Sequence, residues 1–577
     1  MHRSIGISRS FRHGVLGLVA LLLLVVLACG EDATSTPQPT NTPQATPQPA
    51  ATPIPEAMGK RGGVLTITSP YSHNNWNSLD SIGLEAIFLN QVQNLLVEFD
   101  PTTPEPLDMR GDLASSWELS SDSTSYTFHL NPDANWHDGT PVTASDVKWT
   151  LDAMVDPDPD GGRPRTSLMK PYYKSSTVVD AKTIRVDMNY ASPAFISYLG
   201  NNYMIILNKN RFENLDADGR ALEENILGSG PFKLTNWDPN VLVEYERNTD
   251  YWKPGLPYLD GLKYIMIADE GTDTAAYQTQ QGLMTHHAEP IIKIENVKRL
   301  ADDNDFLVAH FGGPMSNVSL YVNHDEAPFG DRNVRRAIHL ALHRQAYIQL
   351  LTGGEGKLGW PFPPGFAFSI PDADVAKLPG YRELNGEKHP DDIAEARRLL
   401  AEAGYPDGKG FPADNILARA LGETPLTAQI LQDQLNKFLG IETNIDVIEF
   451  QVVFEMTSAG EYQFLPQSSG VIIQEPEDTF RRLYSEGAED NITGPTGWTN
   501  ARLQEISLAQ GKEPDPVARR QLILEAADII LDENPSFLLM WISRPIMLNT
   551  KVKGFNMHVA WYNHQHKNEH LWCDPAC

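Results

Sequence analysis

Residues 113–154 read LASSWELSSDSTSYTFHLNPDANWHDGTPVTASDVKWTLDAM. Tyr126, Phe128 and Leu130 alternate with Thr127 and His129, which places three large apolar side chains on one face of a strand. Asp138-Gly139-Thr140 is a tight-turn signal, because glycine accepts backbone angles that other residues avoid. Thr143 or Ser145 can cap a helix that begins around Asp146-Val147-Lys148-Trp149. Working outward, Gly62–Thr68 alternates as a short strand and Ala86–Glu98 has helical apolar spacing. Strands recur at Thr183–Met188, Phe232–Asn236, Leu242–Arg247 and Leu262–Ile267. The second half alternates helices (Asn333–Leu351, Asp391–Ala403, Thr424–Leu439, Asp515–Asn534) with strands (Glu442–Ile448, Ser536–Ile542). Strands separated by helices argue for α/β lobes, and 577 residues exceed what one hydrophobic core covers, so two or three lobes are expected.

Several segments then stand in a fixed order. Trp117, Tyr126–Leu130, Trp136-His137-Asp138-Gly139, Pro141, Thr143-Ala144 and Asp146-Val147 come first. Gly228-Ser229-Gly230-Pro231-Phe232-Lys233-Leu234, Glu246-Arg247-Asn248, Tyr251-Trp252 and Pro257-Tyr258-Leu259-Asp260 follow. Asp331-Arg332-Asn333-Val334-Arg335-Arg336-Ala337-Ile338 and Ala396–Gly408 (ARRLLAEAGYPDG) complete the set. Together, from Gly62 to Phe555, they resemble family 5 of the solute-binding proteins of bacterial ABC importers, the oligopeptide, dipeptide and nickel type. Most of these residues are scaffold positions on physical grounds: Gly404, for instance, ends a helix and Tyr405-Pro406 turns the chain away.

The resemblance implies an α/β, type II periplasmic-binding-protein-like fold (cluster C-like), with two lobes, a hinge and an extra inserted domain. Carried over, lobe I comprises 59–96, 222–317 and 534–577, the extra domain 97–221, and lobe II 318–533. It implies a monomer that closes on a solute, an oligopeptide or similar small molecule, and delivers it to a permease and its ATPase subunits. No cofactor, metal or catalytic residue is implied, and an oligosaccharide or metal chelate, or a surface sensor without a permease, stays open as an alternative.

Candidate ligand-binding residues come from three places. The polar and aromatic loop after the first strand, 71–77 (YSHNNWN), offers Tyr71, Asn74 and Trp76. Trp360 stands where the family carries a cleft loop. In the segment 468–480 (SSGVIIQEPEDTF), peptide binders of the family carry an acidic residue for the peptide amine; aligned on Pro476, this chain has Ile472 there. Glu475, Glu477 or Asp478 are the acids available to replace it, and Trp498 follows the same strand. Flat aromatic faces suit a general pocket, while core packing is the alternative for each tryptophan.

The start of the chain carries Arg3, Arg9 and Arg12, then the apolar run Val15–Ala28, the pattern of a secretory signal peptide over 1–28. Val26-Leu27-Ala28-Cys29 resembles a bacterial lipobox, which implies lipidation of Cys29 and anchoring of an extracytoplasmic protein to the cell membrane; a plain membrane anchor is the alternative. The stretch 29–58 is rich in Thr, Pro and Gln and has almost nothing to bury, so it reads as a spacer. Asp plus Glu number 75 against 46 Lys plus Arg, a formal net charge of -29, which repels polyphosphate and excludes nucleic acid as a partner.

Rival chemistry is weak. His566-Lys567-Asn568-Glu569-His570 fits H-x-x-E-H, an inverted zinc-protease motif, but it stands close to Cys577 in a polar, non-helical context. A metal clip from His564, His566, His570, Cys573 and Cys577 competes with a surface tail closed by one disulfide. His286-His287 lacks supporting ligands, and Gly228-Ser229-Gly230 is not a nucleophile elbow.

Overall fold

The computed structural model describes residues 59–70, 76–79, 85–103, 108–156, 169–286, 292–412, 415–420, 422–484, 498–557 and 567–577. Tyr71, Asn74, Cys29, His287, His564 and His566 lie outside these, as do the leader and the spacer.

Two large sheets dominate. In the first, seven strands run in the order Leu307–Phe311, Pro545–Asn549, Met284–Thr285, Val64–Ser69, Gly261–Met266, Leu242–Arg247, Phe232–Asp238. Val64–Ser69 sits centrally, parallel to Gly261–Met266 with Val64 opposite Gly261. Its alternation works as read: Leu65 and Ile67 are fully buried and Val64 faces out. The second sheet has six strands, in the order Gly356–Leu358, Ser536–Ile542, Ser316–Val322, Phe464–Gly470, Asn415–Arg419, Asn444–Ile448. All seven residues of Ser316–Val322 and all seven of Ser536–Ile542 are buried, as strands covered on both faces must be.

Residues 534–577 were expected in lobe I, but Ser536–Ile542 pairs antiparallel with Ser316–Val322, Ser316 opposite Ile542. The run SFLLMWI has no polar face, so it needs a slot covered on both sides, and the six-stranded sheet supplies it. The chain passes between the two large sheets at 312–315 and again at Ser543-Arg544.

A third sheet has four strands, Ala114–Leu119, Ser125–Leu130, Thr183–Met188 and Tyr173–Asp180, of which residues 113–154 supply the first two. Phe128 and Leu130 point into the core and Tyr126 stacks on Phe128 with ring centres 5.7 Å apart. Gly139 takes φ +84° in the turn, and Thr143 precedes the helix Ala144–Val155, with its backbone N–H and hydroxyl both 2.8 Å from Asp146 Oδ2.

Two helices depart from the sequence expectation. Ala86–Glu98 stops as a helix at Val92, and Val97–Phe99 becomes a strand paired with Met109–Gly111, because Asp112 accepts the Leu95 N–H at 2.8 Å and draws the chain out of the helix. Asn333–Leu351 is two helices, Arg332–Ala341 and Arg344–Thr352. No Gly or Pro marks the break. Gln434, far along the chain, accepts the His343 N–H at 2.8 Å and donates to the His343 carbonyl at 3.2 Å, replacing the lost helical bonds.

The C-terminal tail is not a surface feature. Lys567, Asn568 and Glu569 are almost fully buried. Lys567 Nζ lies 2.5 Å from Glu98 and 2.7 Å from Asp112, and Lys253 Nζ lies 2.7–3.1 Å from Asp112, Glu569 and Glu98. Arg110 completes the group from the Met109–Gly111 strand, 2.8 Å from Glu98. Cys573 and Cys577 are joined by a disulfide just beyond.

Candidate functional site

The place where the six-stranded sheet meets the other two is built by the segment after Phe464–Gly470. Val471, Ile472 and Ile473 are buried, and Ile472 and Ile473 pack into the core shared by the seven- and four-stranded sheets. In the other direction, Ile87 of the helix Glu85–Val92 packs into the core beneath the six-stranded sheet. The two halves therefore interlock at this junction.

The backbone of Ile472 is tied on both sides. Its N–H donates to Asp478 Oδ2 at 2.7 Å, and its carbonyl accepts from Asn201 Nδ2 at 3.4 Å. Asp478 belongs to the short helix Pro476–Thr479, is fully buried, and also accepts from Arg481 Nη2 at 2.8 Å and the Tyr198 hydroxyl at 3.3 Å. Tyr198 and Asn201 come from the segment after Thr183–Met188, so the four-stranded unit grips the far lobe directly.

Glu475 accepts from Arg519 Nη2 at 2.7 Å, and the Arg519 guanidinium lies 4.8 Å from the centre of the Phe368 ring. Burial pushes the Glu475 carboxyl above its ordinary range despite that arginine. Burial also pushes Glu477 up, and it faces the phenols of Tyr172 and Tyr190. Of the acids available to replace the residue missing at Ile472, Glu475 and Asp478 are thus each committed to an arginine.

The tryptophans are packed. Trp76 is 1% exposed and meets Trp237 edge-on at 5.8 Å. Trp360 lies against Phe362 at 5.6 Å, and its carbonyl accepts from Trp541 Nε1 at 2.8 Å. Trp498 is 6% exposed within the core beneath the six-stranded sheet. Trp498→Ala is accordingly expected to lower the stability of the ligand-free protein by about 3–5 kcal/mol, the range for a large aromatic removed from a core. Urea unfolding checks this; a loss below about 1 kcal/mol would return Trp498 to the cleft wall.

A polar cluster that the sequence did not suggest sits at the second crossing between the sheets. Ser468 donates to Glu423 Oε1 at 2.6 Å, Arg544 Nη2 lies 3.7 Å from the same oxygen, and Arg544 Nε donates to Ser316 Oγ at 3.3 Å. Burial works against charge on Glu423, but Arg544 and Ser468 hold its carboxyl below the ordinary range. Ser316 and Arg544 are the residues through which the chain enters and leaves the six-stranded sheet.

Of the histidines in the metal readings, His286 and His570 are among the described residues. His286 is fully buried with its ring 5.9 Å from Phe88, and His570 Nε2 lies 2.8 Å from an Arg110 nitrogen. Among the described residues no group of three His, Cys, Asp or Glu is arranged to hold a metal ion, and no helix is long and apolar enough to cross a membrane.

Comparison with known proteins places this arrangement in a class. Residues 108–491 match the model of the bacterial extracellular solute-binding proteins, family 5 (middle region), and the chain belongs to that family. It is similar to the dipeptide-binding protein DppE of Bacillus subtilis, 25% identical over 478 residues that cover 80% of this chain and 82% of that one. It is likewise similar to the glutathione-binding protein GsiB of Salmonella typhi, 26% identical over 468 residues, covering 79% and 84%.

Among solved structures, the fold matches DppA from Helicobacter pylori in complex with the peptide STSA, with a TM-score of 0.73, 22% identity and coverage of 89% of this chain and 98% of that one. It also matches AgaA from A. tumefaciens R10 in complex with agropinic acid, with a TM-score of 0.73, 22% identity and coverage of 89% and 99%. The fold is that of type II binding proteins, two α/β lobes plus an extra inserted domain. The family is one of extracellular binding proteins serving solute transport.

Proposed function

We propose that this chain captures a peptide or peptide-like solute between its two lobes and presents it to an ABC permease, held at the outer face of the membrane by a lipid on Cys29. The observation that carries the reading is the junction itself: two sheets joined, among the described residues, by two crossings, 312–315 and Ser543-Arg544, with side chains of each half packed into the other. Segments of this kind act as hinges, and a ligand that contacts both lobes stabilises the closed form by its better contacts there. The similarity to peptide- and glutathione-binding relatives supports the solute class.

Ile472 favours a refinement. Where relatives are expected to hold a free α-amine by a carboxylate, this chain presents an apolar side chain whose backbone groups are already bonded. The solute then has its amine blocked, absent or placed elsewhere. Titration calorimetry of the full chain with short peptides and their N-acetylated forms tests both levels. The expected result is that the N-acetylated form binds as tightly as the free peptide to within about threefold, or more tightly, whereas a buried carboxylate partner makes the free amine roughly tenfold to a hundredfold tighter. Strong preference for the free amine would remove the refinement. Binding of neither peptide form, with binding of an oligosaccharide or a metal chelate, would keep the receptor and discard the peptide.

A further inference from the structure

At the far end of the second lobe lies a cavity of about 350 Å³ lined by Arg332, Asn333, Arg336, Arg382, Asp392 and Glu395 over the apolar floor of Leu340, Pro379 and Leu399. That volume falls in the range of small-molecule sites. It is remote from the cleft. Arg336 donates to the Leu531 carbonyl, just before the strand Ser536–Ile542, whose other end is the crossing to lobe I roughly 20 Å away by strand geometry.

The charges around it do not cancel. Arg332 pairs with Asp532, and Arg382 pairs with Asp392, its Nε 3.0 Å away. Asp392 is used further by the Gly380 N–H at 2.9 Å and by Lys388 at 3.2 Å, and both oxygens of Glu395 face Arg398 at 2.7 Å. Arg336 remains. Its guanidinium is half-buried and makes one hydrogen bond, Nη1 to the Leu531 carbonyl at 2.7 Å, with no carboxylate within ion-pair distance among the described residues. Burial, with Arg332 beside it, pulls its pKa down by more than the attractions of Asp532 and Asp392 push it up. In a chain with a formal net charge of -29 a guanidinium with no carboxylate within ion-pair distance is unexpected. A guanidinium fork matches an oxyanion in shape and charge.

We propose that this cavity is a second binding site, independent of the cleft, for a compact oxyanion, a phosphate or a carboxylate, held by Arg336 with Arg332 and Arg382 at its rim. The test uses the full chain, with sodium phosphate and sodium acetate each compared with sodium chloride at equal ionic strength. The expected result is a rise in Tm with at least one of the two oxyanions; which of them acts names the anion. Arg336→Gln should weaken that anion roughly tenfold or more by calorimetry, the cost of losing a charge-assisted contact. In chloride alone Arg336→Gln should melt no lower than the parent, because it removes a charge whose lost hydration outweighs its attractions. Arg481→Gln, at the lobe junction, should keep the anion effect, which separates this site from the cleft whatever the cleft binds. If Arg336→Gln fails to fold, Arg332→Gln, a more exposed substitution at the rim, should weaken the anion instead. No rise with either oxyanion, or a rise of parental size in both Arg336→Gln and Arg332→Gln, overturns the proposal.

Discussion

Replacing Lys253 by Met is expected to destabilise the protein by about 3–5 kcal/mol, the cost of breaking a buried ion pair from one side. Lys253 lies 2.7 Å from Asp112, 2.9 Å from Glu569 and 3.1 Å from Glu98, and all four are buried. Burial alone would raise the Glu98 and Glu569 carboxyls, but the two lysines overrule it and hold both far below their ordinary range. Without Lys253, three buried carboxylates keep Lys567, the rim guanidinium of Arg110 and, at Glu569, His570 as their cationic neighbours among the described residues. Adding Glu569→Gln to Lys253→Met should recover part of the loss, so that the double variant is more stable than the sum of the single changes. Urea melts of the three variants decide it. A loss under about 1 kcal/mol for Lys253→Met, or strict additivity, would mean that water reaches this cluster.

Asp273→Asn is expected to act in the other direction. Asp273, in the helix Glu270–Gln278, is 2% exposed, and burial pushes its carboxyl up to about 6. A carboxyl whose folded pKa lies above its unfolded value favours folding only while protonated. Its contribution is complete below about pH 4 and is lost as pH rises through 6. From 3.8 to about 6 the linkage amounts to about 3 kcal/mol at most. Asn carries no such penalty, so the variant should be more stable than the parent at pH 8 by up to about 3 kcal/mol, with the gap closing toward pH 4. A pH series of thermal melts checks it, and a gap that does not change with pH would assign the effect to packing instead.

What the sequence made legible was whatever is local. The alternation of Leu65 and Ile67, the Asp138-Gly139 turn, the Thr143 cap and the Gly404 helix stop need only their neighbours, and the structure shows each of them. The candidate site was far less legible because its geometry is made by partners distant in sequence. Nothing near Glu423 announces Arg544, and nothing near Tyr198 announces Asp478. Lys567-Asn568-Glu569 has the composition of a solvated tail; it is buried only because Glu98, Asp112 and Lys253 wait in two other segments. Glu475 and Asp478 were visible as acids near Pro476, but the arginines that occupy them, Arg519 and Arg481, could not be assigned from spacing.

The ribbon from Ser536 to Asn549 has a consequence for the order of events during synthesis. Its first strand fills an interior slot of one large sheet and its second an interior slot of the other, beside Ser316–Val322 and Leu307–Phe311 respectively. The six-stranded sheet cannot be completed until residue 542 has emerged, nor the seven-stranded sheet until residue 549, although most of both has already been made. The nascent chain therefore carries two gapped sheets with exposed edges at the same time, and both close in one late step. For the same reason a break anywhere before Ser536 would leave both lobes unfinished at once.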